Sequence, residues 1–230
     1  MRELVLDTET TGFDPQQGDR IVEIGAVELI NQMPTGRTYH QYINPERAMP
    51  NDAFEVHGLG DDFLRDKPVF KQIAQEFLDF VGTDKMVIHN AAFDMKFLNA
   101  ELGWLNLPQL PWEQALDTLA IARKRFPGSP ASLDALCRRF NIDNSNRTLH
   151  GALLDSEILA EVYLELLGGR QPGLVLANSS GNTGSGGPEE TWRASQRPTP
   201  LPTRISEEEA KAHEAFVEKL GEDALWRKLN

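Results

Sequence analysis

Leu4 and Leu6 alternate with Val5 and Asp7 at the start of the chain, a period of two that predicts a β-strand with a buried face. Gly12-Phe-Asp-Pro15 then reads as a turn. Ile21, Val22, Ile24, Ala26, Val27 and Leu29 mark a long second strand over Arg20 to Ile30, and Thr38 to Ile43 reads as a third. Short turns between them predict an antiparallel meander. Pro50 to Gly58 and Asp61 to Arg65 read as brief helical turns. Over Val69 to Val81 the spacing becomes helical, at Phe70, Ile73, Ala74, Phe77 and Phe80. Lys85 to His89 is a short buried strand, and Ala92 to Leu102 a helix. Leu116 to Phe126 opens as strand and continues as helix, stopped by Pro127-Gly128. Ser132 to Phe140 and Ala152 to Leu167 predict two more amphipathic helices. Strands first, then helices with strands between them, predict an α/β fold with a mixed sheet covered by helices.

At Gly168-Gly169 the pattern stops. Residues 170–204 are rich in glycine, proline and serine with little apolar periodicity, and read as a flexible linker. Order resumes at Ser206-Glu-Glu-Glu209, a capping-box pattern, followed by a stripe at Ala210, His213, Val217 and Leu220 that Gly221 can end. The expected organisation is a domain over 1–169, a linker over 170–204 and a short helical tail over 205–230.

Charge narrows the classes of function. The 230 residues carry a net charge of −12, and residues 1–170 alone hold 16 Lys+Arg against 26 Asp+Glu. A basic groove for nucleic acid is therefore not on offer. An acidic domain that handles phosphates needs positive charge from elsewhere, and bound divalent ions are the natural source. The single cysteine, Cys137, falls on an apolar helical stripe with Leu133, Leu136 and Phe140, so a buried thiol in a reducing cytoplasm is expected. No apolar run approaches membrane-spanning length, which predicts no membrane partner.

Three segments carry candidate chemistry. Asp7 and Glu9, two apart on a strand, project from the same side within reach of one ion. Alone, such a pair is more often a solvated strand end. His89-Asn-Ala-Ala-Phe-Asp94 sets Asp94 in the first turn of a helix, where acids are also welcome for the helix dipole. In His150-Gly-Ala-Leu-Leu-Asp155, Asp155 lies close to the apolar face made by Leu153, Leu154 and Leu159, and an acid there needs a metal or a partner. His150 precedes the helix. Oxygen ligands of this kind suit Mg²⁺ or Mn²⁺.

In order and spacing, Asp7-Thr-Glu9, Asp94 and His150 with Asp155 resemble the DEDDh exonucleases of the DnaQ-like superfamily, whose fold is ribonuclease H-like. The resemblance extends along nearly the whole chain to the epsilon (proofreading) subunits of bacterial DNA polymerase III. Arg20-Ile-Val-Glu-Ile-Gly-Ala-Val-Glu28, Val56-His-Gly58, Asn141-Ile-Asp-Asn144, Arg147-Thr-Leu-His150 and Leu225-Trp226 carry it. It implies a 3′→5′ DNA exonuclease with two divalent ions, releasing nucleoside 5′-monophosphates from a DNA 3′ end. Asp7 would bridge both ions, Glu9 and Asp155 would complete one site, Asp94 would support the other, and His150 would be the general base. Phe13, Val56, His57 and Phe93 would line the pocket for the terminal base. Gln171-Pro-Gly-Leu174-Val-Leu176 resembles the short peptides that bind the sliding clamp, through Gln171, Leu174 and Leu176. The tail, with Val217, Leu220, Leu225 and Trp226, resembles the segment that docks on the polymerase (alpha) subunit. Two alternatives stand beside this: a DEDDh ribonuclease trimming RNA 3′ ends, and a non-catalytic subunit bridging clamp and polymerase.

Overall fold

The alternation at the N-terminus forms β1 (Arg2–Thr10), and the next apolar run forms β2 (Ile21–Ile30). In the computed structural model, which describes residues 1–147, 149–169 and 205–220, these two strands pair antiparallel along their whole length. A two-residue turn at Asn31 and Gln32, with φ of 52° and 67°, leads into β3 (Met33–Tyr42). Positive φ at both central residues matches the twist of a tight hairpin. β3 thus begins five residues before Thr38, where the sequence pattern placed it. It is an edge strand, exposed along most of its length, and Pro34 and Gly36 are tolerated there because one side needs no ladder partner.

The remaining elements are α1 (Asn51–His57), α2 (Asp61–Leu64), α3 (Phe70–Val81), β4 (Lys85–Ile88), α4 (Ala91–Trp104), β5 (Ala115–Asp117), α5 (Thr118–Arg125), α6 (Leu133–Phe140), α7 (Ala152–Leu166) and α8 (Glu207–Lys219). β4 pairs parallel to β1 and β5 parallel to β4, giving a five-stranded mixed sheet in the order β3-β2-β1-β4-β5. Helices cover both faces, as the pattern predicted.

The strand period decides which core each residue joins. Leu4 and Leu6 pack with Phe77 of α3 and Phe97 of α4, while Val5 and Val87 pack with Leu136, Cys137 and Val162 from α6 and α7. Cys137 is fully buried, as expected. Asp7 and Glu9 continue the parity of Val5, so they face α7. Thr8 faces α4.

Residues 205–220 belong to a second unit. Ser206 caps α8: its hydroxyl accepts the Glu209 N–H at 3.3 Å, and Glu209 Oε2 accepts the Ser206 N–H at 2.9 Å. The helix ends at Lys219. Phe216 and Leu220 are exposed and Val217 is half-buried. Gln171, Leu174, Leu176, Gly221, Leu225 and Trp226 lie outside the described residues.

Candidate active site

Five elements meet at one end of β1. Asp94, in the first turn of α4, accepts the Thr8 N–H at 3.1 Å and the Thr8 hydroxyl at 2.7 Å, which ties that helix to the strand carrying Asp7 and Glu9. α4 can start there because Asn90 takes the left-handed conformation (φ 66°) and donates its N–H to Asp117 Oδ1 at 3.0 Å. Asp117 Oδ1 also accepts the Leu119 N–H at 2.9 Å as the cap of α5.

α7 brings Asp155. Its first turn lies directly on β2 at Gly25, the partner of Asp7 across the ladder. Ser156 Oγ donates to the Gly25 carbonyl at 3.0 Å, and Glu23 Oε2 accepts the Ala152 N–H at 3.1 Å. Glu23 Oε1 is in turn held by His40 Nε2 at 2.7 Å, so His40 steadies the cap of α7. His150 sits two residues before that helix start, next to the cap Gly151, with its N–H on the Val56 carbonyl at 3.0 Å.

Asp7, Glu9, Asp94, His150 and Asp155 all line one cavity of about 670 Å³. Ligand atoms of Glu9, His150 and Asp155 lie within 4.8 Å of one another. The acids strain against each other. Burial, then Asp94, Glu9 and Asp155, push the Asp7 carboxyl well above the usual range. Burial, then Asp155 and Glu23, raise Glu9 to about 8. Burial raises Asp94 to about 7 against the opposing hydrogen bonds from Thr8. Four carboxylates gathered with a hard-oxygen donor set are a fit for a divalent ion, which would supply the charge they lack. Burial, then the Arg147 charge, lower the His150 pKa below 6.5 and favour the neutral imidazole, the form a base needs.

A second cavity, of about 440 Å³, adjoins the first and is lined by Phe13, Val56, His57 and Phe93. Phe13 and Val56 are exposed, His57 is buried, and Phe93 packs on Phe97 with ring centroids 5.0 Å apart. His57 Nδ1 accepts the Leu59 N–H at 3.1 Å, so its Nε2 carries the proton of a neutral ring. His89 donates from Nδ1 to the Thr118 hydroxyl at 2.9 Å, because that hydroxyl gives its own proton to the Ile88 carbonyl. Arg125 caps the last carbonyls of α7 and Arg139 lies over the Phe126 ring, 4.3 Å from its centroid, whereas Arg123 lines the main cavity.

Sequence reasoning assigned no role to Arg147 or Asp134. Arg147 Nε and Nη2 grip both oxygens of Asp155 at 2.5 and 2.7 Å, Nη1 reaches Asp134 at 2.9 Å, and Nη2 lies 2.9 Å from His150 Nδ1. The available signal was charge: a buried acid cluster calls for a cation, and Arg147 stands three residues before His150.

A model of the exonuclease family matches residues 4–163. The DNA polymerase III epsilon subunits of Rickettsia felis and of Escherichia coli K12 are 49% and 45% identical to the chain. Those alignments cover 96% and 98% of this chain and 97% of each relative. The chain belongs to the epsilon subunits of the exonuclease family. Among solved structures, Exonuclease X in complex with 5′ overhanging duplex DNA matches with a TM-score of 0.57 and 26% identity, over 72% of this chain and 90% of that one. The nuclease domain of 3′hExo, a DEDDh family member bound to rAMP, shares the fold with a TM-score of 0.61 at 21% identity, over 72% and 91%. This chain thus shares its fold with these exonucleases over 72% of its length.

Proposed function

We propose that this epsilon subunit is the 3′→5′ exonuclease that proofreads for a replicative DNA polymerase, hydrolysing the 3′-terminal phosphodiester to release nucleoside 5′-monophosphates. The convergence of Asp7, Glu9, Asp94, His150 and Asp155 in one cavity, in a chain aligned with epsilon subunits over 96–98% of its length, carries this reading. Asp7, Glu9 and Asp155 would hold the divalent ions, two of Mg²⁺ or Mn²⁺, with Asp94 in support. Bound there, such ions would supply positive charge to the phosphate and lower the pKa of the attacking water. His150 takes the proton of that water. Phe13, Val56, His57 and Phe93 receive the terminal base, and stacking on such groups tolerates any base, as removal of any wrong nucleotide requires.

The tail serves assembly in a cytoplasmic replicase. Gln171, Leu174 and Leu176 bind the sliding clamp, and Val217, Leu220, Leu225 and Trp226 dock on the polymerase subunit. Exposed Phe216 on α8 joins that docking set. The intact constellation disfavours a purely bridging subunit, and the full-length alignment with epsilon subunits disfavours an RNA trimmer.

The test is degradation of 3′-labelled DNA and RNA, paired and mispaired, with Mg²⁺ and then with EDTA. Faster loss of mispaired DNA ends that EDTA stops is expected; preferential loss of RNA ends would overturn the reading. A chain ending at Gly187 should keep this activity and lose the polymerase.

A further inference from the structure

The Arg147 guanidinium occupies, at once, two groups that the reaction requires. Its fork takes both oxygens of Asp155. It also takes a lone pair of His150, because arginine only donates and Nδ1 must therefore accept. Arg147 is itself nearly buried, its side chain 9% exposed, and its second partner Asp134 stands half-exposed on the wall of the same cavity. A divalent ion at Asp155 would share those oxygens with the fork, on their remaining lone pairs and against the charge of the guanidinium. A base at Nδ1 must likewise be rid of it.

We propose that Arg147 is a receptor for the scissile phosphodiester, and that its transfer to the phosphate releases Asp155 to the divalent ion and His150 Nδ1 to the water. Resting on the exonuclease reading above, this adds a substrate-binding residue and an order of events. Guanidinium binds phosphate oxygens with the same bidentate geometry that it uses on carboxylate, so the exchange replaces two charge-assisted hydrogen bonds by two others. Asp134 remains as the hinge point for the swing. Before the strand end arrives, the competing fork weakens the ion at Asp155; once it arrives, ion, phosphate and base are assembled together.

The test is Mn²⁺ titration of the full-length protein, without DNA, for wild type, R147A and R147K. Removing the guanidinium predicts that R147A binds Mn²⁺ more tightly, by about tenfold or more, since two charge-assisted hydrogen bonds to Asp155 are released. R147K keeps a cation but not the fork and should fall between the two. In EDTA, R147A should lose about tenfold in affinity for an oligonucleotide with a charged terminal linkage and nothing for one ending in an uncharged methylphosphonate. A guanidinium that only orients Asp155 predicts the opposite sign, weaker Mn²⁺ binding in R147A, and that result, or an unchanged affinity, overturns the proposal. If R147A does not fold, R147K decides alone: Mn²⁺ binding no tighter than wild type overturns it. Failure of every variant and of wild type to bind Mn²⁺ would instead overturn the metal-dependent exonuclease reading itself.

Discussion

Replacing Gly25 by alanine should disable the site from the opposite side of the sheet ladder. A Cβ at Gly25 would lie 2.2 Å from the Ala152 carbonyl carbon and the Leu153 nitrogen, and 2.4 Å from the Ala152 oxygen. These are backbone atoms of the first turn of α7, so no rotamer change relieves the overlap. Ordinary contact begins at 3.4 Å, and the helix start or the strand must therefore give way by about 1.2 Å. Asp155 and His150 ride on that helix start, whereas Asp7 is paired to Gly25 itself. The shift thus falls between the two halves of the acid cluster. A misplacement of about 1 Å can cost roughly 10²-fold in rate, and overpacking of this kind costs about 1–3 kcal/mol of stability. Steady-state degradation of a 3′-labelled single strand and a thermal melt measure the two effects. Ser156→Ala is the control: it removes the hydrogen bond to the Gly25 carbonyl without adding volume and should cost only about 1 kcal/mol and little turnover. A G25A protein with the wild-type kcat would refute the claim that the bare backbone at Gly25 sets the position of α7.

Asp7→Ala should abolish turnover and leave the fold intact, with an unchanged circular dichroism spectrum and a raised melting temperature in EDTA, because a carboxyl crowded among other acids in a buried site is gone; more than about a tenth of wild-type turnover would contradict a two-ion site centred on it. His150→Ala should lower kcat by roughly 10²–10⁴ while Mn²⁺ affinity barely changes, and the acid limb of the wild-type kcat/KM profile, which reports the free enzyme, should lie below pH 6.5, since burial and Arg147 depress the imidazole there. Glu9 makes stability pH-dependent with a definite sign. Its folded pKa of about 8 exceeds the ordinary 4.5, so its contribution is fully present below about pH 4.5 and is lost as pH rises through 8. In EDTA, Glu9→Gln should therefore melt progressively above wild type as pH goes from 5 to 9, and a difference flat across that range would rule the shift out.

Periodicity and acid placement were legible along the chain because they are local. Leu4 to Leu6 encode a strand with two buried faces, and the parity of Asp7 and Glu9 follows from the same period of two. The helical spacing over Phe70–Val81 and the cap at Ser206 likewise depend on neighbours a few residues away. β3 was read short because an edge strand needs neither an apolar face nor a full ladder, which leaves Met33 to Arg37 without a pattern to detect. The tertiary structure alone decided three features of the site. Gly25, a residue that weakens a strand, stands there because the backbone of α7 takes the space of a Cβ, and that backbone is more than 120 residues away along the chain. His40 serves a helix cap through Glu23, a contact between strands and a distant helix start. Arg147 meets Asp155, Asp134 and His150 because a buried cluster of acids draws the nearest cation, and which cation is nearest is a property of the folded chain.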